Sequence, residues 1–271
     1  MGTLSPNQKM TPLEIAQHLK TIRQKEFACA NSSSLARRYI GDAIVTIDPA
    51  SAASPYPSAN KNAVSFLGCE ARAAPADLRK TLDVFKESGI ERFFFHLGPT
   101  LQQEEIIAWL TENHFEPYQG TRYPTLCRAI RAAPPHETDL RVARVFKHEI
   151  ETHADAITRI FNPWPSSFFF ESSGQPGFDH FLAFEQNTPV SAAILATHNQ
   201  FAYLGWAATA EAHRGRGGQN ALIAARLNRA AELGCQIACS ETLTALKTSL
   251  SNLLRNGFEV AYEKQVFVWE A

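Results

Sequence analysis

Hydrophobic positions along this chain follow two periods. Spacings of three and four mark amphipathic helices, and short unbroken apolar runs mark buried strands. The first helical stretch runs from Met10 to about Ala28, with Leu13, Ala16, Leu19 or Lys20 and Arg23 on one stripe. Residues 43–47 (AIVTI) and Ala63–Leu67 read as strands on either side of a loop that holds Pro49, Pro55 and Pro57. A helix is predicted from Pro75 to near Gly89, with proline at its start, glycine past its end, and Leu78, Leu82 and Phe85 as its apolar stripe. Arg92–Leu97 reads as a buried strand. Thr100 and Gln103 have capping-box spacing ahead of Ile106, Ile107 and Leu110, in a helix that ends near Asn113. A strand follows at about Thr125–Ile130, and both periods then break at Ala132-Ala133-Pro134-Pro135.

Beyond that break the strands crowd together. Leu140–Phe146 reads as a strand, about Ile150–Phe161 as a helix, and PWPSSFFFESSGQPGF as an aromatic loop. Strands at His180–Glu185, Val190–Ala196 and Phe201–Ala207 are joined by turns at Asn187-Thr188 and Asn199-Gln200. The next helix carries Ile223, Leu227 and Ala230 on one stripe, leaves Arg226, Arg229 and Glu232 off it, and stops at Gly234. A strand (Gln236–Thr242), a helix (about Thr248–Asn256) and two short strands (Phe258–Tyr262 and Gln265–Trp269) complete the chain. Hairpins followed by a helical crossover predict an α/β fold with a mixed sheet. The break predicts two domains, residues 1–135 and 136–271.

The halves resemble each other: ESGIERFFFH and TENHFEPY in the first match ELGCQIACSE and LRNGFEVAY in the second. They differ in one place. Before Gly234 lies the loop Arg214-Gly215-Arg216-Gly217-Gly218; at the matching point before Gly89 stand Arg72 and, shortly after it, Pro75.

Composition narrows the setting. With 271 residues and a 45% apolar share, the chain can bury a substantial core. A net charge of −1 gives no general attraction to nucleic acid or to an anionic membrane. No apolar run reaches membrane-span length, and the first thirty residues lack the apolar core of a secretory signal. Five cysteines, an odd number without a CxxC pair, predict free thiols in a reducing, cytoplasmic setting. Oligomeric state is not legible.

The 214–218 loop carries the chemistry. It follows an apolar strand and opens directly into a helix, whose first N–H groups lack intrahelical partners and carry the positive end of the macrodipole. Glycines let the backbone approach an anion, and Arg214 and Arg216 add forked donors. Strand, glycine loop, helix is thus a candidate phosphate cradle. A surface turn bearing two solvated arginines is the competing reading. The loop is neither a P-loop nor a dinucleotide fingerprint. His148, Glu149 and His153 lack the histidine spacing of a zinc helix and read as surface, so no metal site is predicted. No nucleophile elbow supports a serine triad. A single Arg-Gly segment on a chain that is not basic does not suggest RNA binding.

From Thr209 to Gln219, T-x-E-x-H-R-G-R-G-G-Q, then helix, Gly234, strand, helix and Asn256-Gly257-Phe258, the chain resembles the GNAT superfamily of acetyl-CoA-dependent N-acetyltransferases. Arg214 and Gly217 match the family signature Arg/Gln-x-x-Gly-x-Gly/Ala; Gln219 stands where its last Gly or Ala falls. The resemblance covers residues 138–271 well and 60–130 faintly. It implies a tandem acyl-CoA N-acyltransferase-like fold with a degenerate N-terminal copy. It implies acetyl-CoA as cofactor, with backbone near Ala207, Ala208 and Thr209 pairing with the pantetheine arm. Amides of Arg214, Gly215, Arg216, Gly217, Gly218, Gln219 and Asn220 would hold the pyrophosphate. The acceptor would be a primary amine of a small molecule or peptide, attacking directly. A base, an oxyanion donor and an acid are then required. Glu241 is the expected base, with Tyr203 contributing. Many members place a Tyr four residues before the Gly of Gly-Phe; here Leu253 stands there, and Ser249 is the next candidate acid. That departure keeps a second class open, a non-catalytic acyl-CoA-binding sensor or scaffold. Trp164, Phe168, Phe169 and Phe170 fall where early helices of the family line the acceptor site, as a wall or as packing.

Overall fold

A computed structural model describes residues 10–30, 36–49, 61–120, 122–131, 133 and 137–271. The residues before Met10, most of the proline-bearing loop, and Ala132, Pro134 and Pro135 of the predicted break lie outside these. In order the chain forms α1 (Pro12–Cys29), β1 (Ala36–Ile40), β2 (Ala43–Ile47), β3 (Ala63–Ser65), α2 (Pro75–Glu87), β4 (Arg92–Leu97), α3 (Gln103–Glu112), β5 (Glu116–Pro117) and β6 (Tyr123–Ala129). Then follow β7 (Arg141–Val145), α4 (Lys147–Thr152), α5 (Ala154–Phe161), α6 (Ser167–Glu171), β8 (Phe178–Glu185), β9 (Thr188–His198) and β10 (Phe201–Thr209). The last elements are α7 (Gly218–Glu232), β11 (Ile237–Glu241), α8 (Lys247–Arg255) and β12 (Glu259–Glu270). No described helix is long and apolar enough to cross a membrane.

Contacts divide the chain into two units: Met1–Lys20, Ser34–Arg122 and Tyr262–Ala271 in one, Thr21–Ser33 and Tyr123–Ala261 in the other. The first unit orders its strands β1-β2-β3-β4-β12. Only β3 and β4 are parallel, so α2 must cross between them. Its apolar stripe, Leu78, Leu82 and Phe85, packs with Phe93, Phe95, Ile106, Leu110 and Phe115. The second unit runs β6-β11-β10-β9-β8-β7. There β10 and β11 are the parallel pair, α7 crosses between them, and Leu222, Ile223, Leu227 and Ala230 pack on Leu195, Ala202 and Leu204.

The repeat seen in the sequence is a repeat of helix endings. Gly89 (φ 66°) and Gly234 (φ 75°) are left-handed, and the next amide closes a six-residue loop: Ile90 N to Phe85 O at 3.0 Å, Cys235 N to Ala230 O at 2.9 Å. His114 and Gly257 do the same before buried Phe115 and Phe258. The final strands are exchanged. β6 follows α3 of the first half but pairs with β11, while β12 follows α8 of the second half and pairs with β4.

Several expectations are corrected. β1 was not predicted, because ARRYI exposes most of its side chains and lacks apolar alternation. The two last strands are one, β12, since Glu263 and Lys264 alternate along a strand rather than turning it. Thr100 does not cap α3: its hydroxyl donates to Gly68 O at 2.9 Å, and the helix starts after Gln102. The helix expected over 150–161 is interrupted at His153, the aromatic loop holds α6, and the β8–β9 turn falls on Gln186-Asn187. The free-thiol expectation holds for Cys29, Cys69 and Cys235 but not for Cys127 and Cys239. These two are register partners across β6 and β11, with Cα atoms 4.2 Å apart, and form a disulfide. They are 112 positions apart in sequence, and nothing in the cysteine spacing reveals the pair.

Candidate functional site

β10 and β11 pair for only three positions, ending at Tyr203 opposite Cys239. Beyond that β11 stays on β6 as far as Glu241, while β10 stays on β9. Between Gly205 and Ala208 the β9–β10 register slips, and Trp206 takes φ 45°. The bulge bends β10 and leaves its β11-facing edge unpaired over Ala207, Ala208 and Thr209.

β10 leads through a short turn into the glycine loop. Gly215 (φ 82°) and Gly217 (φ 78°) are left-handed, and Gly217 is the residue before α7. Among the described residues, the amides of Gly215, Arg216, Gly217, Gly218, Gln219 and Asn220 have no protein acceptor. Six successive free donors at the positive end of a 15-residue helix form a receptor for an oxyanion. Close packing fixes the loop. A Cβ at Gly217 would lie 2.7 Å from Glu137 O, and one at Gly218 would lie 2.8 Å from Ser191 Oγ. Thr138 Oγ1 donates to Arg216 O at 2.8 Å.

Arg216 folds back onto Glu185 and Asp139, and His213 Nε2 lies 3.0 Å from Glu185. Arg216 thus braces the loop with its side chain, its pKa raised by Glu185 first and Asp139 second. Arg214 is exposed and makes no ion pair among the described residues. Gln219 Nε2 donates to Thr209 Oγ1 at 3.0 Å, and Asn220 Oδ1 accepts from the buried Asn256 at 3.1 Å. These bonds tie the start of α7 to the end of β10 and to the end of α8.

At the base of the splay, α1 supplies Arg23. Its guanidinium donates to Glu241 at 2.6 Å and to the Tyr203 hydroxyl at 2.7 Å, and it pairs with the buried Glu26. The Trp206 side chain also acts on Glu26, holding its pKa down as the smallest of the causes at work there. Burial pushes the Glu26 carboxyl up despite Arg23, and pushes the Tyr203 phenol well above its ordinary range. Glu241 and Tyr203, both predicted, are therefore brought together. Ser249 accepts from Thr242 Oγ1 at 3.0 Å, one residue past the end of β11, and Leu253 is buried in the core.

An oxyanion receptor beside a bulged, splayed parallel pair is what the GNAT fold is built around, and residues 144–258 match the Acetyltransferase (GNAT) family. This segment is GNAT-like. Known structures extend the likeness over both halves. A GCN5-related N-acetyltransferase from Kribbella flavida aligns with TM-score 0.63 and 15% identity over 97% of each chain. A tandem GNAT protein from the clavulanic acid biosynthesis pathway aligns with TM-score 0.63 and 12% identity over 98% of this chain and 97% of that one. A GCN5-related N-acetyltransferase from Sphaerobacter thermophilus gives 0.58 and 13% over 96% and 92%. At such identities the likeness is one of fold. Among curated proteins none matches the sequence. The fold is the tandem acyl-CoA N-acyltransferase-like one, with a divergent first half. The GNAT match over residues 144–258 supports acyl transfer as the activity.

The divergence of the first half has a local cause. The amides of Gly68, Glu70 and Ala71, ahead of α2, all point to the Asp42 carboxylate, at 2.8, 2.7 and 3.3 Å. Asp77 turns back on Ala74 N at 3.4 Å, and Arg72 pairs with Glu105. Ahead of α2 the protein's own carboxylates take several of the loop amides, whereas those at the start of α7 have no protein acceptor among the described residues.

Sequence reasoning missed Glu26, Trp206 and Arg226. Arg226, expected off the apolar stripe, is buried on it; its Nη1 donates to Ile194 O at 3.2 Å and Gly205 O at 3.3 Å. Burial without a carboxylate partner lowers its pKa to about 9. It braces the β9–β10 ladder at the edge of the bulge. Arg23 was visible as an arginine on an apolar stripe, which is a usable signal. Of the aromatic cluster, Phe168 and Phe169 are buried and Trp164 is exposed; Phe168 lies tilted against Trp206 at 4.7 Å. Among the described residues, no group of three or more His, Cys, Asp or Glu side chains could hold a metal; His153 lies edge-on to Phe184.

Proposed function

We propose that the GNAT-like segment moves an acetyl group from acetyl-CoA to a primary amine of a small molecule or peptide by direct attack. The observation that carries this reading is the row of six free amides from Gly215 to Asn220, set directly after the unpaired edge of β10. The donor set suits a diphosphate, with Arg214 as an adjacent cation unpaired among the described residues. Ala207, Ala208 and Thr209 would hold the pantetheine amides in strand fashion. Bound acetyl-CoA supplies the activated acyl group. Glu241 would take the proton from the incoming ammonium, directly or through water, while Arg23 fixes its orientation and that of Tyr203. An N–H of the bulged stretch of β10 would receive the developing oxyanion. Ser249 is the nearest candidate for returning a proton to the thiolate, and its tie to Thr242 keeps it beside the end of β11.

The competing reading is an acyl-CoA-binding sensor. It is favoured by Leu253, which is buried where many relatives place a tyrosine. Coenzyme A release from acetyl-CoA with a panel of amines separates the two: steady release supports the enzyme, and tight binding without turnover supports the sensor. Gly215 is the place to test the cradle, because its Cβ position is open and αL geometry tolerates Asp. Gly215→Asp puts a carboxylate among the free amides, and acetyl-CoA affinity by calorimetry should fall at least about tenfold. Unchanged affinity would remove the cradle from the reading.

A further inference from the structure

We infer that Trp206, clamped between Phe168 and Glu26, limits the acyl group of the donor to two carbons. The inference rests on reading β10 and the loop after it as the acyl-CoA site.

Direction along β10 sets where the acyl group falls. The cradle at 215–220 follows the C-terminal end of β10, so an arm running from it along the free edge passes Thr209, Ala208 and Ala207 in that order. The thioester end then reaches Gly205 and Trp206, close to where β10 and β11 rejoin at Tyr203. The space over Gly205 is already filled: a Cβ there would lie 2.5 Å from Tyr203 Cε1. The Tyr203 ring cannot swing away easily, because its hydroxyl and its face are both held by Arg23, the guanidinium carbon lying 4.8 Å from the ring centre. Trp206 stands next along the strand. Its ring lies tilted against Phe168 at 4.7 Å, Phe168 in turn meets Phe178 edge-on at 5.9 Å, and its side chain acts on the Glu26 carboxyl. Glu26 is itself anchored by Arg23. On this inference the two large aromatic side chains, each held by neighbours, leave space at this end of the slot for a methyl and exclude a flexible alkyl chain. The indole is still 37% exposed, so it borders accessible space rather than lying in the core.

The test is calorimetric and needs no acceptor: coenzyme A, acetyl-CoA, butyryl-CoA and hexanoyl-CoA are titrated into the full chain and into Trp206→Gly and Trp206→Phe. Glycine suits this position because φ is already positive. The wild type should bind acetyl-CoA at least about tenfold more tightly than hexanoyl-CoA. In Trp206→Gly that preference should disappear while coenzyme A itself binds as before, with Trp206→Phe between the two. Phe168→Ala, which frees one face of the indole, should relax the preference in part if the glycine variant does not fold. Equal binding of acetyl- and hexanoyl-CoA by the wild type overturns the inference, as does a preference that survives in folded Trp206→Gly. Loss of binding for all four compounds in the wild type would sink the acyl-CoA reading itself, and this inference with it.

Discussion

His180 shows how one buried side chain sets a pH dependence. It is 2% exposed, with Ser172 Oγ 3.0 Å from Nε2 and the Phe169 ring edge-on at 4.8 Å. Burial lowers its pKa to about 4, from an ordinary 6.5. As pH falls through this window the unfolded chain takes up the proton first. Stability is therefore complete above about pH 6.5 and is lost progressively toward pH 4, by about 3 kcal/mol in all. Denaturant unfolding at pH 7 and pH 4.5 should show this loss in the wild type, and a smaller one in His180→Asn. Arg226 makes a different kind of contribution. Arg226→Ala removes the brace on Ile194 O and Gly205 O and leaves a cavity, so a loss of about 3 kcal/mol is expected at neutral pH. A loss below about 1 kcal/mol would mean that the brace carries little. Neither burial was legible in the sequence. A histidine inside an apolar strand and an arginine inside a helix look the same whether they face solvent or the core, because periodicity only divides a helix into faces and the partner decides which charges are enclosed.

The two loops that precede α2 and α7 solve one problem in opposite ways. Both face the orphan amides of a helix start. Ahead of α2 the donors close on Asp42 and Asp77; ahead of α7 they stay open. Asp42→Ala should cost the first unit about 2 kcal/mol in urea unfolding, since three amides lose a charged acceptor. The same substitution should leave acetyl-CoA affinity unchanged; a parallel loss of affinity would show that the first loop takes part in binding. The glycine loop before α7 was readable from its residue types, because only glycines reach φ near +80° without strain. Its arginines were read only in part. Arg216 turns inward to Glu185 and Asp139, carboxylates 31 and 77 residues away in sequence, and such pairing has no local signal.

At the scale of the whole chain, the exchange of final strands and the Cys127–Cys239 bond follow from the same topology. β6 leaves the first half of the sequence to pair with β11, and that pairing places the two cysteines opposite each other. Thiol titration in denaturant without reductant should therefore find three reactive cysteines, Cys29, Cys69 and Cys235; five would overturn the bond. Because the bond closes a 112-residue loop, reduction should cost up to about 4.7 kcal/mol in the chain-entropy account. A fragment cut at the proline break, residues 136–271, would lack β6 and leave the β11 edge open, so it should aggregate where the full chain stays soluble. Most of the elements, though not β1, α6 or the unbroken β12, the parallel crossover before each glycine stop, and the glycine loop were determined by the sequence alone, because apolar period, turn chemistry and left-handed geometry are local properties. Which strand fills the place beside β11, which cysteines meet, and which of the charged residues turn inward around Tyr203 were decided only in three dimensions. Each depends on groups far apart in the chain sharing a space from which water is excluded.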